Sequence, residues 1–206
     1  VLLIGITSKK NSDLYKNSDI TLITPEVKEA GLDMIPTSST INQLSLGDAL
    51  AISTLKKKKI NNLDFKKFHP SGSLGEKLKT AEDLMLTKNK IPFIDENRLM
   101  TKALKIMTSK KLGTLIVRNK RKHTTGIITD GQIRRFSSKN INLNFLKVKD
   151  VMTKNPVKID KNILATKALA IMNEKKITSL CVYEKKKRFI TIGILHIHNI
   201  LNKKIY

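Results

Sequence analysis

Apolar positions along the chain change period several times, and the changes mark out its elements. Leu2-Leu-Ile-Gly-Ile-Thr7 and Ile20-Thr-Leu-Ile-Thr24 are short, nearly continuous apolar runs, the pattern of strands buried on both faces. The polar stretch between them contains Asp13-Leu-Tyr-Lys16, enough for a short helix. Strand, helix and strand predict a parallel pair in an α/β sheet. From Ile41 the spacing becomes helical, through Leu44, Leu46, Ala49, Leu50, Ile52 and Leu55. Pro36 and Thr37-Ser-Ser-Thr40 in front of it supply a helix start. The turn-rich segment His69-Pro-Ser-Gly-Ser-Leu-Gly75 closes this first portion.

Beyond it the pattern repeats. Glu82-Asp-Leu-Met85 returns as Lys149-Asp-Val-Met152, and Lys102-Ala-Leu-Lys-Ile-Met107 as Lys167-Ala-Leu-Ala-Ile-Met172. Leu112-Gly-Thr-Leu-Ile-Val117 returns as Ile177-Thr-Ser-Leu-Cys-Val182, and Gly126-Ile-Ile128 as Gly193-Ile-Leu195. The order is kept at offsets of 65 to 67 residues. Within each unit, Ala103, Leu104, Ile106 and Met107, or Ala168, Leu169, Ile171 and Met172, form one apolar helix face. Two β-branched runs separated by a basic turn follow, and Gln132-Ile-Arg-Arg135 opens a further helix. This gives a β-α-β-β-α unit twice. A single unit leaves a sheet face and helix faces uncovered, so the two are expected to bury them against each other.

Composition changes this picture little. At 206 residues and 40% apolar content the chain is long enough for ordinary cores. No run approaches the roughly 18 to 20 apolar residues of a membrane span, so no membrane partner is expected. Val1-Leu-Leu-Ile-Gly-Ile6 begins at full hydrophobic strength without an initiator Met, which predicts a start inside a domain. The lone Cys181 lies in an apolar run, excludes an internal disulfide and suits a reducing, cytoplasmic setting. The net charge of +23 raises the question of nucleic acid. Only six of the forty basic residues are Arg, and aromatics are too few to form a stacking platform. Lys56-Lys-Lys-Lys59, Lys120-Arg-Lys122 and Glu184-Lys-Lys-Lys-Arg188 fall between apolar segments, so they read as solvated turns and helix ends, with no specific nucleic-acid partner.

The repeated order, with Asp-x-Met openings and the Gly126-Ile-Ile-Thr-Asp130 and Gly193-Ile-Leu-His196 closings, resembles a tandem pair of CBS modules. The resemblance implies a regulatory pair, in a family whose members often hold adenine nucleotides between the repeats. An Asp three residues after the closing Thr or Ser commonly accepts the ribose hydroxyls there. Here Gln132 and Asn199 stand at those positions, so at most a weak nucleotide or other small-molecule effector is expected.

Lys28-Glu-Ala30, Pro36-Thr-Ser-Ser-Thr40, Gly47-Asp-Ala-Leu-Ala51, Asp64-Phe65 and His69-Pro-x-Gly-x-Leu-Gly75 are similar in order and spacing to the end of the SIS (sugar isomerase) domain in arabinose 5-phosphate isomerases, where two CBS modules follow. The resemblance implies the C-terminal part of a SIS-type parallel α/β sandwich over residues 1–78, then CBS modules over 79–140 and 145–206. It also implies interconversion of D-ribulose 5-phosphate and D-arabinose 5-phosphate, the precursor of the Kdo sugar of lipopolysaccharide, by a cofactor-free homotetramer. Moving a proton between adjacent carbons needs a base and groups that stabilise an oxyanion. By resemblance Glu29 and His69 are catalytic, while Pro25, Glu26 and Val27 line the sugar-phosphate pocket. A Lys and another Glu of the catalytic set, and most of the phosphate site, have no counterpart, so the segment alone is expected to be inactive. Thr37, Ser38 and Ser39 could present hydroxyls and helix N-terminal amides to an anion, which makes Thr37 and Ser38 candidate substrate ligands, with simple capping as an equal alternative. The i, i+2 pair His196 and His198 has metal-ligand spacing, and His123 lies in a basic turn; neither is assigned a metal.

Overall fold

The computed structural model describes residues 1–139 and 141–203. The expected domain ends at Asn140 and Tyr206 lie outside the described residues. The chain divides into two compact units, Val1–Asn61 and Asn62–Tyr206.

In the first unit β1 (Ile4–Thr7) pairs parallel with β2 (Ile20–Ile23) through the short helix α1 (Asp13–Asn17), the arrangement read from the apolar runs. Ser12 caps α1 by accepting from the Tyr15 N–H. The long helix α2 spans Ser38–Lys57. The expectation of buried strands fails here: Leu2, Leu3, Ile4, Ile20 and Ile23 are exposed, and α2 has no buried residue. Two four-residue strands and a five-residue crossover helix have too little surface to cover both faces of a sheet, so the apolar side chains lack neighbours within this unit.

The second unit begins with α3 (Asn62–Phe68) and α4 (Gly72–Lys77). The first repeat then runs α5 (Ala81–Leu84), β3 (Leu86–Thr87), β4 (Phe93–Asp95), α6 (Met100–Lys110), β5 (Thr114–Arg118), β6 (Thr124–Thr129) and α7 (Asp130–Ser137). The second runs α8 (Val148–Val151), β7 (Thr153–Lys154), β8 (Lys158–Asp160), α9 (Ala165–Lys175), β9 (Ser179–Tyr183), β10 (Gly193–His196) and α10 (Ile197–Leu201). Each Asp-x-Met opening is therefore a one-turn helix plus a two-residue strand, and that strand leaves its own repeat. The sheets are ordered β4-β5-β6-β7 and β3-β10-β9-β8, so β7 completes the first repeat's sheet and β3 the second's. The exchange continues in the loops, where Met100 N–H donates to Leu146 O and Ala165 N–H to Lys79 O.

Two helix-facing cores follow the repeat. Leu115 and Val117 pack with Met100, Ala103 and Met107 of α6, joined by Val148 and Val151 from the other repeat. Leu180 and Val182 pack with Ala165, Ala168 and Met172 of α9, joined by Ala81. The intervening residues of the same strands, Ile116 and Cys181, point to the opposite face and meet Ile91 and Ile194 in a third cluster. The sheet and helix faces left open by one repeat are thus buried against the other. Burial pushes the Cys181 thiol up to about 11, so it behaves as a small apolar side chain. Pseudo-equivalent hydroxyls seal the junction: Thr114 Oγ1 lies 3.1 Å from Ser179 Oγ, and Thr124 Oγ1 lies 2.7 Å from Thr191 Oγ1, all four residues buried.

Candidate functional site

Glu29 lies in the segment between β2 and α2, and the start of α2 takes up its carboxylate. Oε2 accepts from the Thr37 N–H at 2.7 Å, the Thr37 hydroxyl at 3.0 Å and the Ser39 N–H at 3.3 Å. Thr37 Oγ1 in turn accepts from the Ala30 N–H, and Asp33 Oδ1 accepts from the Glu29 N–H, both at 2.7 Å. These cross-links close residues 29–37 into one loop. First-turn amides of a helix have no partner within the helix and carry partial positive charge, so an anion is favoured there. The Ser39 hydroxyl, then the Thr37 amide and the remaining donors, hold the Glu29 carboxyl down at about 2. Of the candidate substrate ligands, Thr37 is therefore engaged with an anion that the chain itself supplies. Ser38 is half-buried on the same turn, while Pro25, Glu26 and Val27 form an exposed segment leading to Glu29. Ser39, a candidate anion ligand with Thr37 and Ser38, is engaged with the same carboxylate.

His69 belongs to the second unit. Its ring stacks on Phe65 with centroids 4.4 Å apart, Nδ1 is 3.3 Å from Phe65 O, and the residue is exposed. The motif around it has a structural logic. Gly75 is buried, and a Cβ there would lie 2.9 Å from both His69 O and the Pro70 carbonyl carbon, so glycine lets the His69-Pro70 backbone fold down onto α4.

Between the two repeats lies a cleft of about 730 Å³ whose wall includes Thr129, Arg134, Arg135, Asn155, Lys176 and His198. Gln132 reaches the same wall, but its amide is spent inside the protein. Oε1 accepts from the Thr129 N–H at 2.9 Å, and Nε2 donates to Thr153 Oγ1 at 2.6 Å and Val151 O at 3.2 Å. Asn199 Oδ1 likewise accepts from the His196 N–H at 3.0 Å. Both positions close the capping boxes of α7 and α10. His196 Nδ1 accepts from the His198 N–H at 3.3 Å. Burial, with the neighbouring His198 charge, lowers the His196 pKa. Among the described residues no group of three or more His, Cys, Asp or Glu could hold a metal ion, and no helix is long and apolar enough to cross a membrane.

Residues 81–139 and 148–205 match the CBS domain, and residues 1–53 match the SIS domain. The chain is 37% identical over 202 residues to an uncharacterised protein of Rickettsia prowazekii, covering 98% of this chain and 62% of that one. It is 36% identical over 203 residues to the arabinose 5-phosphate isomerases of Yersinia pestis and Escherichia coli K12, in each case 98% of this chain against 61% of the relative. The chain thus spans about three-fifths of the length of these relatives. Among solved structures, CBSX2 in complex with AMP superimposes with a TM-score of 0.54 at 20% identity, covering 61% of this chain and 96% of that one. The CBS pair of MJ0100, in complex with 5′-methylthioadenosine and S-adenosylmethionine, gives 0.54 at 17%, covering 60% and 94%. At these identities the likeness is one of fold. With two matched repeats spanning more than half of its residues, the chain belongs to the CBS-domain family, carrying a tandem CBS pair behind a SIS segment in a sequence that resembles the arabinose 5-phosphate isomerases.

Proposed function

We propose that this chain supplies the acid–base residues Glu29 and His69 and the regulatory module of an isomerase that interconverts D-ribulose 5-phosphate and D-arabinose 5-phosphate, feeding Kdo synthesis in the cytoplasm as a homotetramer. In this reading residues 1–78 belong to the SIS domain, and residues 79–140 and 145–206 are the CBS modules. The reading draws its support from the likeness to the isomerases over 98% of the chain. The observation within the structure that carries it is the ionised Glu29 held at the mouth of α2. Isomerisation removes a proton from the carbon beside a carbonyl and returns it to the neighbouring carbon through an enediol. A carboxylate near a pKa of 2 is a poor base while all its donors are engaged. Glu29 therefore takes the proton when the Thr37 and Ser39 donors turn from its carboxylate to an oxygen of the substrate, an exchange of one anion for another at the same helix end. Pro25, Glu26, Val27 and Ser38 form the adjoining wall, and His69 is the proton donor or acceptor at the sugar oxygens.

A chimera in which this chain replaces the matching portion of the Escherichia coli enzyme tests the reading. It should interconvert the two sugar phosphates, and Glu29→Gln should lower turnover by about a hundred- to ten-thousand-fold. A folded but inert chimera, or a Glu29→Gln variant with unchanged turnover, contradicts it.

The inter-repeat cleft favours a second reading, a regulatory CBS pair without catalysis of its own. The AMP-bound and S-adenosylmethionine-bound relatives suggest a small effector for this cleft, and Arg134, Arg135 and Lys176 suit an anionic one. With the Gln132 and Asn199 amides committed to capping, recognition of the ribose hydroxyls is weak: AMP and its 2′,3′-dideoxy analogue should differ by less than about threefold in Kd. Strong preference for AMP over the dideoxy analogue would restore a nucleotide-sensing role.

A further inference from the structure

The internal repeat provides its own comparison for every surface feature, because the same backbone occurs twice with different side chains. One feature is present in the first repeat and replaced in the second. Beside β4 and α6 runs a groove of about 330 Å³, lined among others by Asp95, Arg98, Lys102, Arg118, Lys120 and Lys122. It shares no residue with the inter-repeat cleft. Five of these six side chains are cations, and among the described residues none of the five forms an ion pair. The Arg118 guanidinium stacks over the Phe93 ring at 4.4 Å, which fixes its plane while leaving its in-plane N–H donors available. The one carboxylate belongs to the fold. Asp95 Oδ1 accepts from the Asn97 N–H at 2.9 Å, and Asp160 Oδ1 makes the same contact with the Asn162 N–H at 2.9 Å.

Strand register sets the correspondence: Phe93 pairs with Ile116 as Lys158 pairs with Cys181, 65 residues on. At that offset Arg98 becomes Ile163, Arg118 becomes Tyr183 and Asn119 becomes Glu184. The lysines keep their places, Lys102, Lys120 and Lys122 returning as Lys167, Lys185 and Lys187, and a further second-repeat cation is neutralised. Lys161 Nζ lies 3.1 Å from Glu82 Oε1 and 3.3 Å from Glu184 Oε1, and these carboxylates raise its pKa. The scaffold therefore folds with an apolar, an aromatic and an acidic residue where the first repeat has two arginines and a neutral amide. Thirty-four of the forty basic residues are Lys, so a general basic bias supplies lysines and does not account for two of the six arginines meeting in one groove.

We propose that this groove is a binding site for a small phosphorylated molecule with two phosphoryl groups, a diphosphate or bisphosphate. Each guanidinium fork takes one phosphoryl group in a bidentate contact, and Lys102, Lys120 and Lys122 balance the remaining charge. The volume suits a small ligand rather than a polymer.

Calorimetric titration of the chain with pyrophosphate and with inorganic phosphate, at about 0.15 M monovalent salt to screen diffuse attraction, tests the proposal. Saturable one-site binding of pyrophosphate, tighter than that of phosphate, is expected. Grafting the second repeat's residues, Arg98→Ile with Arg118→Tyr, should weaken it by about tenfold or more at an unchanged unfolding midpoint. Removing the same charge from the end of α2, by Lys56→Gln with Lys57→Gln at exposed positions, should change it by less than about twofold. If the graft does not fold, Arg98→Gln alone, at an exposed position, carries the same expectation. No saturation at millimolar pyrophosphate, equal weakening by the groove and α2 variants, or no weakening by the groove variants overturns the proposal.

Discussion

Replacing Gly126 with alanine probes the exchange of strands between repeats at one of its two close glycine–methionine contacts. A Cβ on Gly126 would lie 2.8 Å from Met152 Cγ and 3.0 Å from Met152 Cβ, and closer still to its sulfur. The methionine cannot withdraw by changing rotamer alone, because its own Cβ is involved and its backbone is held. Met152 N–H donates to Val148 O, and the next two residues pair with Ile127 and Gly126 in the sheet. The added methyl therefore has to push β7 off β6 or distort both. Overpacking of this kind costs about 1–3 kcal/mol, and at about 2–4 °C per kcal/mol for a chain of this size the unfolding midpoint should fall by roughly 2–12 °C. Circular dichroism of thermal and urea unfolding measures it. In a Met152→Ala background the same substitution should lose more than half of its cost, since the sulfur and Cγ are gone. A cost below about 0.5 kcal/mol, or one indifferent to the residue at 152, would mean that β7 is not seated on β6 as described. Gly193 faces Met85 in the same way, with Cγ at 2.8 Å and Cβ at 3.1 Å, so Gly193→Ala should behave alike.

The α2 loop gives a pH prediction. Glu29 is depressed from 4.5 to about 2, so its contribution is complete above its ordinary value and is lost as pH falls through about 2. Thr37→Val removes one donor and should move the Glu29 carboxyl titration, followed by NMR, upward; an unmoved titration would break the assignment of the cap. Gln132→Ala leaves the Thr129 N–H and Val151 O without their partner and should cost about 1–3 kcal/mol in urea unfolding, whereas a neutral outcome would free Gln132 for ligand. Cys181 is 1% exposed with a raised pKa, so thiol reagents near pH 8 should modify it only as fast as the chain unfolds; prompt labelling would contradict its place between the sheets.

The repeat was legible because its helix faces and strands are written in local periodicity, and α6 and α9 appear where Ala103–Met107 and Ala168–Met172 set them. The destination of β3 and β7 was not, since two-residue strands carry no periodicity and their partners lie far away in sequence. Apolar strength alone marked β1 and β2 as buried, but burial depends on neighbours that this unit does not contain. Glu29 could be singled out, yet its bonds to a turn eight to ten residues later depend on how the loop closes. The charge runs read as solvated turns from sequence. The groove's cations come from α6, the turn preceding it and the end of β5 with its hairpin turn, and only the fold assembles them.

The central claim, that Glu29 handles a proton of a sugar phosphate, is met most directly by exchange in heavy water. The chimera with the Escherichia coli enzyme, incubated with arabinose 5-phosphate in D2O, should place deuterium on C1 of the ribulose 5-phosphate as it forms and on C2 of the arabinose 5-phosphate that re-forms, and Glu29→Gln should suppress both processes together. Deuterium entering at an undiminished rate in the Glu29→Gln chimera would assign the proton to another group and leave Glu29 as the cap of α2.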